Sequence, residues 1–530
     1  KWIDDCPNQL YSALIYEGGA AFKKRVLDDI GDQDIVSKLI NKRSDNEFLE
    51  LMANLGGHCV PTLCDAFNGI NDDKPTAFIA YTIKGWGTPL AGHKDNHAGL
   101  MTKIQMDSFK SKFGITEGNE WNSFLDAKED LELNEFIKNS PFQKARHRKY
   151  NSKKIPVDDI ISITETKIST QNAFGKILDQ YAKNNTEFGN RIITTSPDVS
   201  VSTNLGPWIN KKGLFSRTDS PDTFRDRKIP SAQKWIFSSQ GQHIELGIAE
   251  MNLFLMLGAA GLSHELFGER LFPIGTVYDP FIARGLDAMN YACYQDARFM
   301  IVGTPSGVSL APEGGAHQSI GTPLIGISQP GLISYEPAFA DELSIIMNYG
   351  FNYLQDENGG SIYLRLTTRS IEQPLRDINH ELKQNVIKGG YWLRKPGPNP
   401  EIIIIYQGVV ASEAVEATAL LGERFKDIGV LGITSSDNLF HDWKNKYLTN
   451  EKNNKNSHIE DLLKIIPKDT KIVTVIDGHP MTLSWVGSVF GHKIIPLGVD
   501  KFGQTGSLNQ LFSEFAIDSE SICNLGFNTN

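Results

Sequence analysis

Apolar residues in this chain follow two rhythms. From about residue 169 onward, short near-continuous apolar runs such as "RIITTS", "RFMIVG", "GSIYLRL", "EIIIIYQG" and "KIVTVID" recur along the sequence. Between them lie longer stretches such as "AFGKILDQYAK", "FADELSIIMNYGF" and "VVASEAVEATALLGERF". In these, apolar positions return every three to four residues, the period of an amphipathic helix. The short runs read as strands buried on both faces. Their alternation with helices predicts an α/β fold built on parallel sheets covered on each side. "KWIFSSQG" reads as one more strand. After it comes "QHIELGIAEMNLFLMLGAAG", almost wholly apolar or small from Ala249 to Ala260, as in a buried helix. Glu250 stands at the mouth of that helix and needs a reason to be there.

The same rhythm divides the chain into three blocks. Residues 1–168 contain "PTAFIAYTIKGWG", where Ala77 to Tyr81 reads as a buried strand and Gly85 and Gly87 open a loop. A charged, largely helical connector follows from Lys103 to Ser152. It ends in the basic run "KARHRKYNSKK", which reads as a solvated linker. Residues 169–376 carry the longest α/β alternation. Residues 385–530 restart it, interrupted by the polar "LTNEKNNKNSHIED", which reads as an exposed insertion.

Composition narrows the class. The chain has 530 residues, 40% of them hydrophobic, enough for several cores. A net charge of −10 argues against nucleic acid as a partner, because phosphate binding calls for a basic footprint. No apolar run reaches the roughly 18 residues of a membrane span. The cysteines Cys6, Cys59, Cys64, Cys293 and Cys523 are scattered, as in a cytoplasmic protein, and form neither a disulfide framework nor a zinc pattern. Lys1 opens the sequence without a signal or transit pattern, and the expectation is a chain derived from a longer one.

Ligands of open α/β sheets sit beyond the carboxyl ends of strands. Several polar residues fall there. Asp198 follows "IITTS", Glu250 follows "KWIFSS" by a loop, and Glu313 and His317 lie in "TPSGVSLAPEGGAHQS". His97 lies in "GHKDNHAG", after the "KGWG" loop. Each alone has an ordinary explanation. A Glu in a first helical turn complements the dipole, and a single His is commonly structural.

Together, these segments carry a resemblance. "HIELGIAEMN", "TSPDVSVSTNLG", "GTVYDPFIARGLDAM", "APEGGAHQS" and "TIKGWG…NHAG" stand in the order seen in the transketolase-like thiamine diphosphate enzymes. Within that family, "QPGLISYEPAFADELSIIM", "NHAGLMTKIQMDSFKSKFGI" and "LGVDKFGQTGSLNQLFSEFAID" most resemble the homodimeric pyruvate dehydrogenase (acetyl-transferring) component of 2-oxo acid dehydrogenase complexes.

The resemblance implies a thiamine diphosphate-binding fold. It has the closing part of a diphosphate-binding domain, a complete pyrimidine-binding domain and a transketolase-type C-terminal domain. It implies that Glu250 binds the ring nitrogen of the cofactor's aminopyrimidine, where water would compete for the bond unless the carboxyl is buried. Phe281, with Tyr278 nearby, would stack on that ring, and Asp198 would sit in the adjoining turn. His97 and His317 would act near the reactive carbon, with Glu313 orienting His317 from four residues away. Glu245 reads as a surface or interface carboxylate outside the pattern.

The implied cofactors are thiamine diphosphate and Mg²⁺. The Gly-Asp-Gly…Asn signature that holds the diphosphate and metal is absent from this sequence; "VIDGHP" contains Asp-Gly but lies in the third block. The implied partners are a 2-oxo acid, pyruvate foremost, a lipoyl-bearing acyltransferase and a second copy of the chain. The C-terminal block would mainly support the interface. Two alternatives stand beside this one. The first is a two-carbon transferase like transketolase or deoxyxylulose phosphate synthase, favoured by a phosphate-binding cluster for which Arg284, Arg365 and Arg369 are candidates. The second is a non-catalytic fragment or subunit that needs a partner carrying the diphosphate site.

Overall fold

The computed structural model describes residues 1–31, 34–122, 131–140, 143, 152–218, 226–228, 233–448 and 456–527. Most of the basic run 144–154 and residues 449–455 of the polar insertion lie outside them. The chain divides into two compact units, Lys1–Lys138 and Asn139–Asn530.

The N-terminal unit is helical. Helices Asn8–Glu17, Gly19–Ile30 and Asp45–Ala53 close on a small core of Leu14, Phe22, Val26, Phe48 and Met52. Ser44 opens the third with a capping box, exchanging hydrogen bonds with Glu47. Ala77–Tyr81 is not the expected buried strand: it is irregular, and Ile79 is among the most exposed apolar residues. A strand needs a neighbour to take its backbone hydrogen bonds. Among its described residues this unit offers none, so an apolar run alone did not make one.

The larger unit holds the α/β architecture. Its first sheet comprises β2 (Ile192–Ser196), β3 (Leu214–Phe215), β4 (Phe237–Ser238), β5 (His243–Glu245), β6 (Phe272–Val277), β7 (Met300–Gly303), β8 (Leu332–Tyr335) and β9 (Ser361–Arg365). Among the described residues these eight strands lie in the order β4-β3-β5-β2-β6-β7-β9-β8. Every pairing is parallel. A short antiparallel pair, β1 (Lys167–Ile168) with β10 (Ile371–Glu372), ties the start of this domain to its end. Helix Thr170–Asn184 begins at a Ser169 cap that accepts from the Asn172 N–H, and stops where Asn185 turns left-handed. Its face of Phe174, Ile177, Leu178 and Tyr181 joins Phe188, Phe272 and Phe351 in the main core.

The second sheet comprises β11 (Gly390–Arg394), β12 (Ile402–Gln407), β13 (Gly429–Ile433), β14 (Lys471–Ile476) and β15 (Ile494–Leu497), in the order β11-β13-β12-β14-β15. Only β11 runs antiparallel. β12, "IIIIYQ", is buried throughout, as a central strand covered on both faces must be. Among the described residues, no helix is long and apolar enough to cross a membrane.

The helix quoted above runs from Glu250 to Gly261. It is buried on one side only. Leu253, Phe254 and Leu257 face the sheet, while Met251 and Leu255 stand exposed. A run with no polar positions hides which face looks inward, so uniform burial was the wrong inference.

Candidate active site

Three segments at the carboxyl ends of the first sheet bring the expected residues together. The helix Glu250–Gly261 contributes Glu250. The turn Asp279–Gly285, directly after β6, contributes Phe281, with Tyr278 just before it. The short turn Gly315–His317, in the long loop after β7, contributes His317.

The rings form one cluster. Phe281 and Tyr278 lie nearly parallel with centroids 5.8 Å apart. His317 lies 5.5 Å from Phe281 and 5.8 Å from Tyr278. Glu250 joins through Arg284: the guanidinium Nη1 donates to Glu250 Oε1 at 2.6 Å, and Cζ stands 3.8 Å from the centre of the Phe281 ring. The Glu250 side chain is only 12% exposed. His317 Nδ1 is buried without a hydrogen-bond partner. Buried polar atoms are nearly always paired, so an orphan beside a cleft points to a ligand contact. An open cleft of about 710 Å³ runs alongside, lined by Pro280, Ala283, Gly315, Ala316, Ser319 and Phe502.

The loop bearing His317 is held from the C-terminal domain. Asp477, at the end of β14, accepts from the N–H groups of Val308 and Ser309 at 2.8 and 3.0 Å. Gln318 Nε2 donates to the Gln504 carbonyl at 2.9 Å. Gly314 has φ +83, and a Cβ there would meet Thr505 Oγ1 at 2.5 Å, so glycine is required on two counts. The Asp-Gly of "VIDGHP" therefore serves as a clamp on the histidine loop. The C-terminal block thus holds the loop that bears His317.

Beneath the aromatic turn lies a buried charge network. Asp279, the residue after Tyr278, accepts from Arg365 Nε at 3.0 Å and from Thr322 Oγ1 at 2.6 Å. It also accepts from the Tyr363 hydroxyl. Arg365 donates in addition to Glu336 and to Ser319 Oγ. The network thus fixes the turn that carries Phe281 and the segment that follows His317. One guanidinium faces Asp279, Glu336 and the nearby Asp477. Burial outweighs Arg365 and pushes the Glu336 carboxyl up to about 7; it raises Asp477 as well. A charge inside the apolar strand "SIYLRLT" was the sequence signal for this network, since a buried arginine must be paired.

Other expected positions fall differently. Glu313 is exposed and makes no hydrogen bond to His317, because Gly314 reverses the chain between two separate turns. Asp198 is exposed with φ +62, and its N–H donates to Glu245 Oε1 at 2.8 Å. Glu245 is half-buried, its side chain 27% exposed. It also accepts from Ser200 Oγ at 2.6 Å, beside the buried His243. Burial would raise Glu245, but the bonds from His243, Ser200 and the Asp198 amide hold it below the ordinary carboxylate range. His97 belongs to the N-terminal unit, where it is exposed and its Nδ1 accepts from Lys84 at 3.0 Å. The three arginines weighed as a phosphate cluster are each committed to carboxylates: Arg284 to Glu250, Arg365 to Asp279 and Glu336, Arg369 to Glu413. Among the described residues, no group of three or more His, Cys, Asp or Glu is placed to hold a metal.

Comparison with known proteins identifies the two α/β domains. Residues 158–374 match the pyruvate dehydrogenase E1 component middle domain, and residues 389–518 match the transketolase-like TK C-terminal domain. Each of its two α/β domains thus matches a pyruvate dehydrogenase E1 or transketolase-like family model. It is 24% identical over 461 residues to the pyruvate dehydrogenase E1 component of Cupriavidus necator, spanning 81% of this chain and 49% of that protein. It is 25% identical over 517 residues to the one from Pseudomonas aeruginosa, spanning 91% and 57%. The chain thus spans about half the length of the curated relatives it matches. Among solved structures, an R525L transketolase mutant from Pichia stipitis aligns with a TM-score of 0.64 at 18% identity, over 89% of this chain and 65% of that one. Transketolase from Campylobacter jejuni gives 0.61 at 15% identity, over 88% and 65%. At these identities the likeness shows a shared fold.

Proposed function

We propose that this chain supplies the pyrimidine side of a thiamine diphosphate site in an enzyme that decarboxylates a 2-oxo acid, pyruvate foremost, and passes the acyl unit to a lipoyl group. The observation that carries this is the grouping of a nearly buried carboxylate at a helix start, Glu250, with the face of Phe281 and the orphaned Nδ1 of His317. These residues fit the group. Phe281 offers a flat apolar surface to an aromatic ring. Glu250 holds a proton against a ring nitrogen and so sets the ring's tautomer. His317 Nδ1 serves an oxygen of the substrate. Thiamine diphosphate, when bound, supplies the nucleophilic carbon and the electron sink of the decarboxylation.

Asp198 and Tyr278 border the cofactor in this reading, and His97 is its second proposed catalytic histidine. The Gly-Asp-Gly…Asn signature is not in this sequence, so the diphosphate and Mg²⁺ are assigned to residues outside it. A second subunit is assigned to the exposed apolar side chains Ile248, Met251 and Leu255 that flank Glu250. Pyruvate dehydrogenase E1 relatives favour the 2-oxo acid over a sugar phosphate. So does the commitment of Arg365 and Arg369 to internal carboxylates. The test is turnover of the assembled enzyme carrying Glu250→Gln. A loss of roughly 10²–10⁴-fold is expected of a missing proton partner, and unchanged turnover would contradict the assignment.

A further inference from the structure

Phe281 and Arg284 lie three residues apart in a 3₁₀ turn, Asp279–Gly285. That spacing stacks their side chains on one side of the turn. The guanidinium accordingly lies over the ring, its Cζ 3.8 Å from the centroid, and donates to Glu250 Oε1 at 2.6 Å. A guanidinium is a flat, delocalised cation edged with N–H donors. It meets an aromatic face and a carboxylate at once. Those are the same two partners assigned above to an aminopyrimidine, which is also flat and presents hydrogen-bonding nitrogens at its edge. Phe281 offers this face to one planar group at a time, and Oε1 is already engaged.

We infer that Arg284 is a tethered placeholder for the aminopyrimidine, occupying its seat on Phe281 and Glu250 until the cofactor displaces it. This rests on the reading of Glu250 and Phe281 given above. Arg284 is suited to leaving: its side chain is 53% exposed, so water receives the charge as it swings out. While in place it spares Glu250 from being nearly buried and unpaired. The exchange swaps one planar group for another, Glu250 taking up a proton from water as the guanidinium leaves, and the apparent affinity for the cofactor falls by the fraction of chains in which Arg284 is seated. Arg284 is therefore a positioning residue that tunes cofactor loading.

The test uses the full chain, Arg284→Ala, Arg284→Lys and the double variant Arg284→Ala with Glu250→Gln. Melting curves establish that each is folded. Binding of two probes, 4-amino-2-methylpyrimidine and methylguanidinium, is followed by saturation-transfer NMR. The expected result is that Arg284→Ala binds both probes at least fivefold tighter than the unaltered chain. Arg284→Lys, which keeps the charge but not the plane, falls between, and Glu250→Gln abolishes the gain. Should neither probe gain on Arg284→Ala, the placeholder role is overturned while Glu250 and Phe281 keep their assignment. Should methylguanidinium alone gain, the seat does not take the cofactor's ring, and both the cofactor reading and the placeholder role fall.

Discussion

Arg365 Nε donates to Asp279 Oδ2 at 3.0 Å, and both side chains are withdrawn from water. This one contact joins the end of β9 to the turn that carries Phe281. Severing a buried pair from one side leaves the other charge stranded, at a cost of about 3–5 kcal/mol. Asp279→Ala is expected to lower stability by that amount in urea denaturation. In a chain that still folds, it is also expected to weaken cofactor binding more than a surface substitution such as Asp287→Ala does. Equal effects of the two would show that the turn holds its shape without the network.

The same network predicts a pH dependence. Burial holds the Glu336 carboxyl at about 7 in the folded chain, against about 4.3 in an unfolded one. Between those values the folded state carries a proton that the unfolded state lacks. Stability should therefore fall as pH rises from about 4.3 to about 7 and level off above, with a slope approaching about 1.4 kcal/mol per pH unit. Glu336→Gln should remove that slope. Urea midpoints measured across the interval for both chains check this, and parallel profiles would mean that Glu336 is ionised throughout.

Asp477 makes a separate prediction about the histidine loop. Asp477→Ala strips the acceptor from the Val308 and Ser309 N–H groups. Leaving buried donors unsatisfied costs roughly 1–3 kcal/mol. Asp477→Asn retains an acceptor oxygen and should cost less. Differential scanning calorimetry gives the ranking; equal melting temperatures for all three chains would mean that the loop does not depend on this clamp.

The sequence made the sheet legible because fully buried parallel strands announce themselves. "IIIIYQ" and "KIVTVI" could hardly be anything else, and β12 and β14 are where they were expected. Ala77–Tyr81 looked the same but had no partner strand, and pairing is information that one segment does not contain. In the site, Glu250 and His317 were visible as polar residues at strand ends, Phe281 and Tyr278 only through the family resemblance, and the structure does bring the four near one another. Glu313 was misread because spacing along a loop is not distance: Gly314 turns the chain between it and His317. The partners of Glu245, Ser200 and the Asp198 amide, come from another strand end and could not be read from its own segment. Arg284 was noticed only as one of three candidates for a phosphate-binding cluster in an alternative reading. Its seat on Phe281 depends on the 3₁₀ form of the turn, which the residue pattern does not dictate.

Phe281 can be tested apart from its neighbours. Phe281→Ala removes the stacking surface but leaves Glu250 in place. The loss of one aromatic contact, about 0.5–1.5 kcal/mol beyond area burial, should weaken thiamine diphosphate binding by roughly tenfold, with little change in the melting temperature. Fluorescence titration measures the binding. An unchanged affinity would return Phe281 to the packing role it could equally have had.

The most direct measurement of the central claim is saturation-transfer NMR on the full chain with thiamine diphosphate and Mg²⁺, reading the pyrimidine protons. The account predicts that these protons receive saturation from the protein and lose it in Glu250→Gln and in Phe281→Ala. Pyrimidine protons that receive none, or that receive it undiminished in both variants, would contradict it.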